Sequence, residues 1–155
     1  SYRVGGSKLV RKNRSIFITE VTGGWKLHRK VAYDCVRHSF NELMPRIRKI
    51  DIRVQLKKNL HWNTGLYGLM DMEDDRTFRL EVDYSDMDEM IHTIMHEMVH
   101  VKQYLRKELV QLDEVYVWKN VAFGKYAVDY RKRPWEFEAY NKEAELVKSF
   151  KERYI

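Results

Sequence analysis

The segment TIMHEMVHVKQY, residues 93–104, holds His96, Glu97 and His100 in the pattern H-E-x-x-H. A neutral imidazole nitrogen is a good donor to a divalent metal, and a glutamate beside it can carry protons. Residues four apart share one face of a helix, so His96 and His100 can close on one ion with Glu97 next to it. At 100° per residue, Met87, Ile91, Ile94, Met95, Met98, Val99, Val101 and Leu105 gather on one arc. Thr93, His96, Glu97, His100 and Gln103 fall on the other. The helix therefore has a core face of its own and keeps the His/Glu face for chemistry. His92 extends the row, but it stands about 12 Å from His100 along the axis. That is too far for both to reach one ion through bonds of about 2 Å, so His92 is expected at the surface or beside a ligand.

A catalytic zinc site takes three protein ligands and a water, so a third ligand must come from elsewhere in the chain. With one cysteine, Cys35, no thiolate set is available, and the ligand must be His or a carboxylate. The stretch RPWEFEAYNKEAELV, residues 133–147, is the source to test. On its helical wheel Trp135, Ala139, Tyr140, Ala144, Leu146, Val147, Phe150 and Tyr154 form an apolar arc with Glu136 near its centre. A carboxylate there is costly unless it is paired or metal-bound, which makes Glu136 the preferred ligand. Glu138 points away from that arc and is the alternative, because a first helical turn need not follow the wheel. Glu143, also on the arc, is expected to support a ligand or to pair with a lysine.

These groups need a scaffold. SIFITEV, 15–21, reads as a strand ended by Gly23-Gly24. From about 26 to 44, Val31, Ala32, Cys35, Val36, Phe40 and Leu43 recur at helical spacing up to Pro45. IDIRVQL alternates apolar and polar residues as a half-buried strand does. GLYGLMDM, 65–72, and TFRLEVDY, 77–84, read as a hairpin around an acidic turn. Ser85 with Asp88 predicts a capping box for the helix that carries His96, which should run to about Lys107. VYVW and YAVDY, around Gly124, read as short strands, and Pro134 is placed to open a last helix.

Composition sets the outer bounds. A chain of 155 residues, 44% hydrophobic and 13% aromatic, is expected to form one domain over 1–155, with 1–14 a flexible basic arm. No apolar run nears the roughly 20 residues that cross a bilayer, and the first residues lack the apolar segment of a secretory signal. The lone Cys35 fits a reducing cytoplasm. Residues 1–58 hold 15 Lys and Arg against 4 Asp and Glu, whereas residues 59–101 hold 2 against 10. The basic first third raises weak nucleic-acid binding as a second expectation beside a solvated basic face.

Taken together, HEMVH and PWEFEA resemble the glutamate-type zincin metallopeptidases, in particular the small SprT-like and phage-type minimal domains. Glu136 and Ala139 match the E-x-x-A pattern around the third ligand in such families. The resemblance implies an α+β minimal zincin-like fold: a mixed sheet of about four strands, the active-site helix and a later ligand-bearing helix. It implies one Zn2+ per chain held by His96, His100 and Glu136, and a metalloendopeptidase acting as a monomer on a peptide or protein, in the cytoplasm of a bacterium or a phage-infected cell. Glu97 would be the general base for a zinc-activated water, and Tyr130 or Tyr126 a donor to the oxyanion. The edge strand that pairs with substrate would begin with Gly65, Leu66, Tyr67 and Gly68. SprT and Spartan proteins use a third His after the motif, and none follows His100 here. Action on DNA-bound proteins therefore stands as the alternative function, along with a non-catalytic metal-binding module.

Overall fold

The computed structural model describes the backbone of residues 2–5, 8–12, 17–126 and 128–155. Its elements follow in the order β1 (Tyr2–Gly5), β2 (Lys8–Lys12), β3 (Phe17–Thr22), α1 (Lys26–Leu43), β4 (Ile50–Lys57), α2 (Leu60–Thr64), β5 (Gly68–Asp74) and β6 (Thr77–Asp83). Then come α3 (Met87–Leu105), β7 (Leu109–Gln111), β8 (Val115–Trp118), β9 (Val121–Gly124), a 3-10 turn (Tyr130–Lys132) and α4 (Pro134–Tyr154). The architecture is α+β. Six strands form one mixed sheet in the order β1-β2-β3-β4-β6-β5, parallel at β3–β4 and β4–β6 and antiparallel elsewhere. A separate antiparallel sheet holds β7, β8 and β9.

The alternation in β4 works as strand physics requires. Ile50, Ile52, Val54 and Leu56 face inward, while Arg53 and Lys57 face solvent. Phe78, Leu80 and Val82 of β6 continue the inward layer. Ala32, Val36 and Phe40 of α1 belong to the same core, and so do Met90, Ile94, Met95 and Met98 of α3. Helix α3 lies against α1, α4, β5 and β6, so it is covered on several sides, including the polar side that carries His96 and His100.

Several expectations change at element ends. The cap of α3 is Asp86, whose carboxylate accepts from the Glu89 amide at 2.9 Å; Ser85 instead donates its amide to Asp83. A side-chain oxygen on the residue directly before the first turn reaches an orphan amide better than one a residue earlier. The edge strand begins at Gly68, and Gly65 (φ +80°) closes the short helix α2, so Gly65, Leu66 and Tyr67 form the loop into β5. VYVW is a strand, but it pairs with Leu109–Gln111 and Val121–Gly124; YAVDY is not a strand in its described part, and its residue 127 lies outside the described residues. Of the segment read as a basic arm, the described parts are β1 and β2, and the rest lies outside the described residues, as do residues 15 and 16 of the first expected strand.

Candidate metal centre

Two helices and one strand build the site. His96 and His100 stand one turn apart on α3, and Glu136 comes from the first turn of α4, which Pro134 opens. All three side chains are buried. The Nε2 atoms of His96 and His100 lie 3.1 and 3.2 Å from the same oxygen, Oε1 of Glu136. The ligand atoms of the three residues all fall within 4.8 Å of one another, a group that could hold a metal ion.

The other ring nitrogens decide what this convergence means. His96 Nδ1 is 2.9 Å from Oε1 of Glu143, and a carboxylate is an acceptor, so His96 carries its proton on Nδ1. His100 Nδ1 is 2.8 Å from Oε1 of Gln103. That amide cannot be turned round, because its Nε2 donates to the Trp135 carbonyl (2.9 Å) and to Glu138 (3.0 Å). With both Nδ1 atoms protonated, each neutral imidazole aims an Nε2 lone pair at a carboxylate oxygen. Two lone pairs and a carboxylate facing one another in a buried site repel, unless a cation joins them or both rings take a second proton. A tetrahedral ion with bonds of about 2.0–2.1 Å places its ligand atoms about 3.3 Å apart; the two imidazole–carboxylate spacings, 3.1 and 3.2 Å, are close to this. The donor set and the pinned Nδ1 protons thus fit a divalent metal ion.

The same contacts set the proton affinities of the metal-free site. Burial lowers the His96 pKa, but its bonds to Glu136 and Glu143 overcome this and raise it to about 9. His100 is likewise raised, against burial, chiefly by Glu136. Burial pushes Glu136 up, yet the two imidazoles hold it down at about 2. Glu97 lines the cleft beside the three ligands, and burial raises its carboxyl, with His100 and His96 opposing.

The structure brings Glu136, not Glu138, to the imidazoles. Glu138 pairs with Lys102 at 3.0 Å and reaches His100 only through Gln103. Glu143 bridges His92 (2.8 Å) and His96, so His92 stands beside a ligand, as expected from its spacing. Tyr130 lines the cleft with Glu97 and Glu136; partial burial and the carboxylates of Glu136 and Glu97 push its hydroxyl pKa up, which keeps it a donor. Tyr126 is 86% exposed and does not line the cleft around Glu97. Compared with protein-family models, curated proteins and solved structures, the chain gives no match.

Three contributors escaped the sequence reading. Gln103 and Lys102 are buried polar residues of α3 that both reach Glu138 on α4, Gln103 also holding His100 and Lys102 also pairing with Glu108, and Tyr140 packs its ring on His96 with 4.6 Å between centroids. Gln103 was visible on the polar arc of the wheel, but nothing local gave it a role. Gly68, expected in the edge strand, has a steric role as well: a Cβ there would stand 2.3 Å from Thr93 Cγ2 and 3.7 Å from Glu97 Cγ. Only glycine lets the start of β5 approach α3 so closely, which lays a sheet edge along the cleft.

Proposed function

We propose that this chain is a zinc-dependent metalloendopeptidase of the glutamate-type zincin kind, with His96, His100 and Glu136 as ligands and Glu97 as general base. The observation that carries the reading is the convergence of two tautomer-pinned Nε2 atoms on one Glu136 oxygen, with Glu97 lining the same cleft. The identity of the ion as zinc and the minimal zincin architecture are part of this proposal.

When bound, zinc would supply Lewis acidity and bring the pKa of a water toward 7. Glu97, which burial makes more basic than an exposed carboxylate, accepts a proton from the attacking water and returns it to the leaving amine. The C–O bond forms first, which puts charge on the carbonyl oxygen, and the peptide C–N bond then breaks as the amine takes the proton. Tyr130, held protonated, donates to the oxygen that gains charge. Strand β5 is an edge of the large sheet, and its free backbone groups can pair with an extended polypeptide. The cleft continues past the site in both directions, toward Tyr67 and Glu89 at one end and toward Met70, Tyr104 and Leu109 at the other. A cleft open at both ends favours cutting within a chain over trimming its terminus.

The test joins metal content to turnover. Wild type should hold about one zinc per chain, lost in His96→Ala and Glu136→Ala and kept in Glu138→Ala. Glu97→Gln should keep the metal and lose about 10²–10⁴-fold in peptide hydrolysis. A wild type without zinc after reconstitution, or hydrolysis that survives in Glu97→Gln, would refute the proposal.

A further inference from the structure

Beyond the ligands, the cleft has an end with its own chemistry. One cavity of about 420 Å³ is lined by Gly68, Glu89, His92, Glu97, Tyr130 and Glu143, among others. A second, of about 220 Å³, adjoins it toward α2 and includes Trp62, Tyr67, Asp83, Asp86 and Glu89. Tyr67 and Glu89 line both, so the two spaces share a wall. No Lys or Arg lines either cavity, although the chain has 29 of them and a net charge of +6.

The carboxylates of this region are not equivalent. Asp83 is committed to the amides of His61 and Ser85, and Asp86 caps α3. Glu143 is taken by His92 and His96. Among the described residues, the half-buried Glu89 side chain has neither a hydrogen-bond nor an ion-pair partner. Two aromatic side chains line the second cavity with it: Trp62, 87% exposed, and Tyr67, which stacks one face of its ring on His61 at 3.9 Å. An available carboxylate that shares a cavity with aromatic side chains, where no Lys or Arg competes for it, is the chemistry that holds an ammonium or guanidinium group.

We propose that these two cavities form a subsite for a lysine or arginine side chain of an extended polypeptide, with Glu89 as the specificity-determining carboxylate and Trp62 and Tyr67 as its walls. This rests on the peptidase reading for its substrate, but it makes a claim about binding that can be tested without turnover. A partly exposed carboxylate–cation pair and a cation over an aromatic face are both modest contacts, so one Lys side chain should tighten binding roughly five- to tenfold.

The test is calorimetric binding of peptides to zinc-loaded Glu97→Gln protein. A set of hexapeptides carries one lysine at each position in turn, and matched peptides carry norleucine instead, which keeps the chain length and removes the charge. One lysine position should bind roughly five- to tenfold tighter than its norleucine partner. Adding Glu89→Gln should erase that difference, while Glu152→Gln, an exposed carboxylate on α4, removes the same charge and should leave it intact. Equal affinity for lysine and norleucine at every position, or a preference that survives Glu89→Gln, overturns the subsite. Those results would stand apart from the peptidase reading, which fails only if the wild-type protein lacks zinc or cuts without Glu97.

Discussion

Replacing Gln103 with Met should weaken metal binding from a residue that touches no metal. Gln103 is fully buried and makes three hydrogen bonds: it accepts from His100 Nδ1 (2.8 Å) and donates to the Trp135 carbonyl (2.9 Å) and to Glu138 (3.0 Å). Methionine fills nearly the same space with no polar atom able to replace them. The Trp135 carbonyl lies in the first turn of α4, where the helix offers it another donor, and Glu138 keeps Lys102. The His100 N–H has no such substitute. Leaving that buried donor unmet costs about 1–3 kcal/mol, and the two lost donor bonds add about 1 kcal/mol each at most. The metal-free protein should therefore lose about 2–4 kcal/mol in urea unfolding. Freed of its partner, the His100 ring can turn or change tautomer, and zinc affinity should fall about 10–100-fold in competition with a chromophoric chelator. Gln103→Glu separates the two effects. It keeps an acceptor for His100 but sets one carboxylate against another at Glu138, so it should retain more metal affinity than Gln103→Met. A folded Gln103→Met protein that binds zinc within twofold of wild type would show that Gln103 does not hold His100, and the fit argument for the site would lose its second pinned nitrogen.

Two further outcomes are expected. In Gly68→Ala the new methyl meets Thr93 Cγ2, so β5 or α3 must shift, at a cost of about 1–3 kcal/mol in urea unfolding; adding Thr93→Ser, which removes that methyl, should restore part of the loss, and strict additivity would refute the clash. His38 is buried between α1 and α4 with its Nε2 2.7 Å from Ser149 Oγ; burial lowers its pKa, with Glu42 opposing and Arg153 adding. Its native pKa thus lies below the unfolded value of about 6.5, so its contribution to stability is complete above that pH and is lost as pH falls through the native pKa. The stability advantage of wild type over His38→Gln should shrink between pH 7 and pH 5, and a constant difference would refute the assignment.

How far the fold could be read ahead depended on where each signal lives. Helix α1, strand β4, the β5–β6 hairpin and both site helices announce themselves by period, because the apolar residues of each recur at a spacing that can be read locally. Helix α2 has five residues and only Leu60 buried, too short to show a period. Strand β7 has three residues and is held by pairing with β8, so its identity comes from a partner six residues on. The cap of α3 went to Asp86, whose oxygen reaches the amide of Glu89; Asp86 with Glu89 three residues on fits the capping spacing better than Ser85 with Asp88 does.

The third ligand shows why one part of a site can be legible and the part beside it not. Glu136 stood out because a carboxylate in the middle of an apolar arc needs a reason to be there, and the burial it implied is local to α4. Glu138 carried the same side chain two residues away, and only the packing of α4 on α3 separates them. Lys102, 8% exposed, and Gln103, fully buried, meet Glu138 there and take it out of contention. On α3 alone those two residues look like the start of a solvent-facing turn after Val101. Their burial is created by α4, so it cannot be read from α3. A polar residue whose cost is visible within its own helix marks a site in the sequence; one whose cost appears only when a second helix arrives is found only in the structure. Here the second kind holds His100 in the tautomer that the first kind requires.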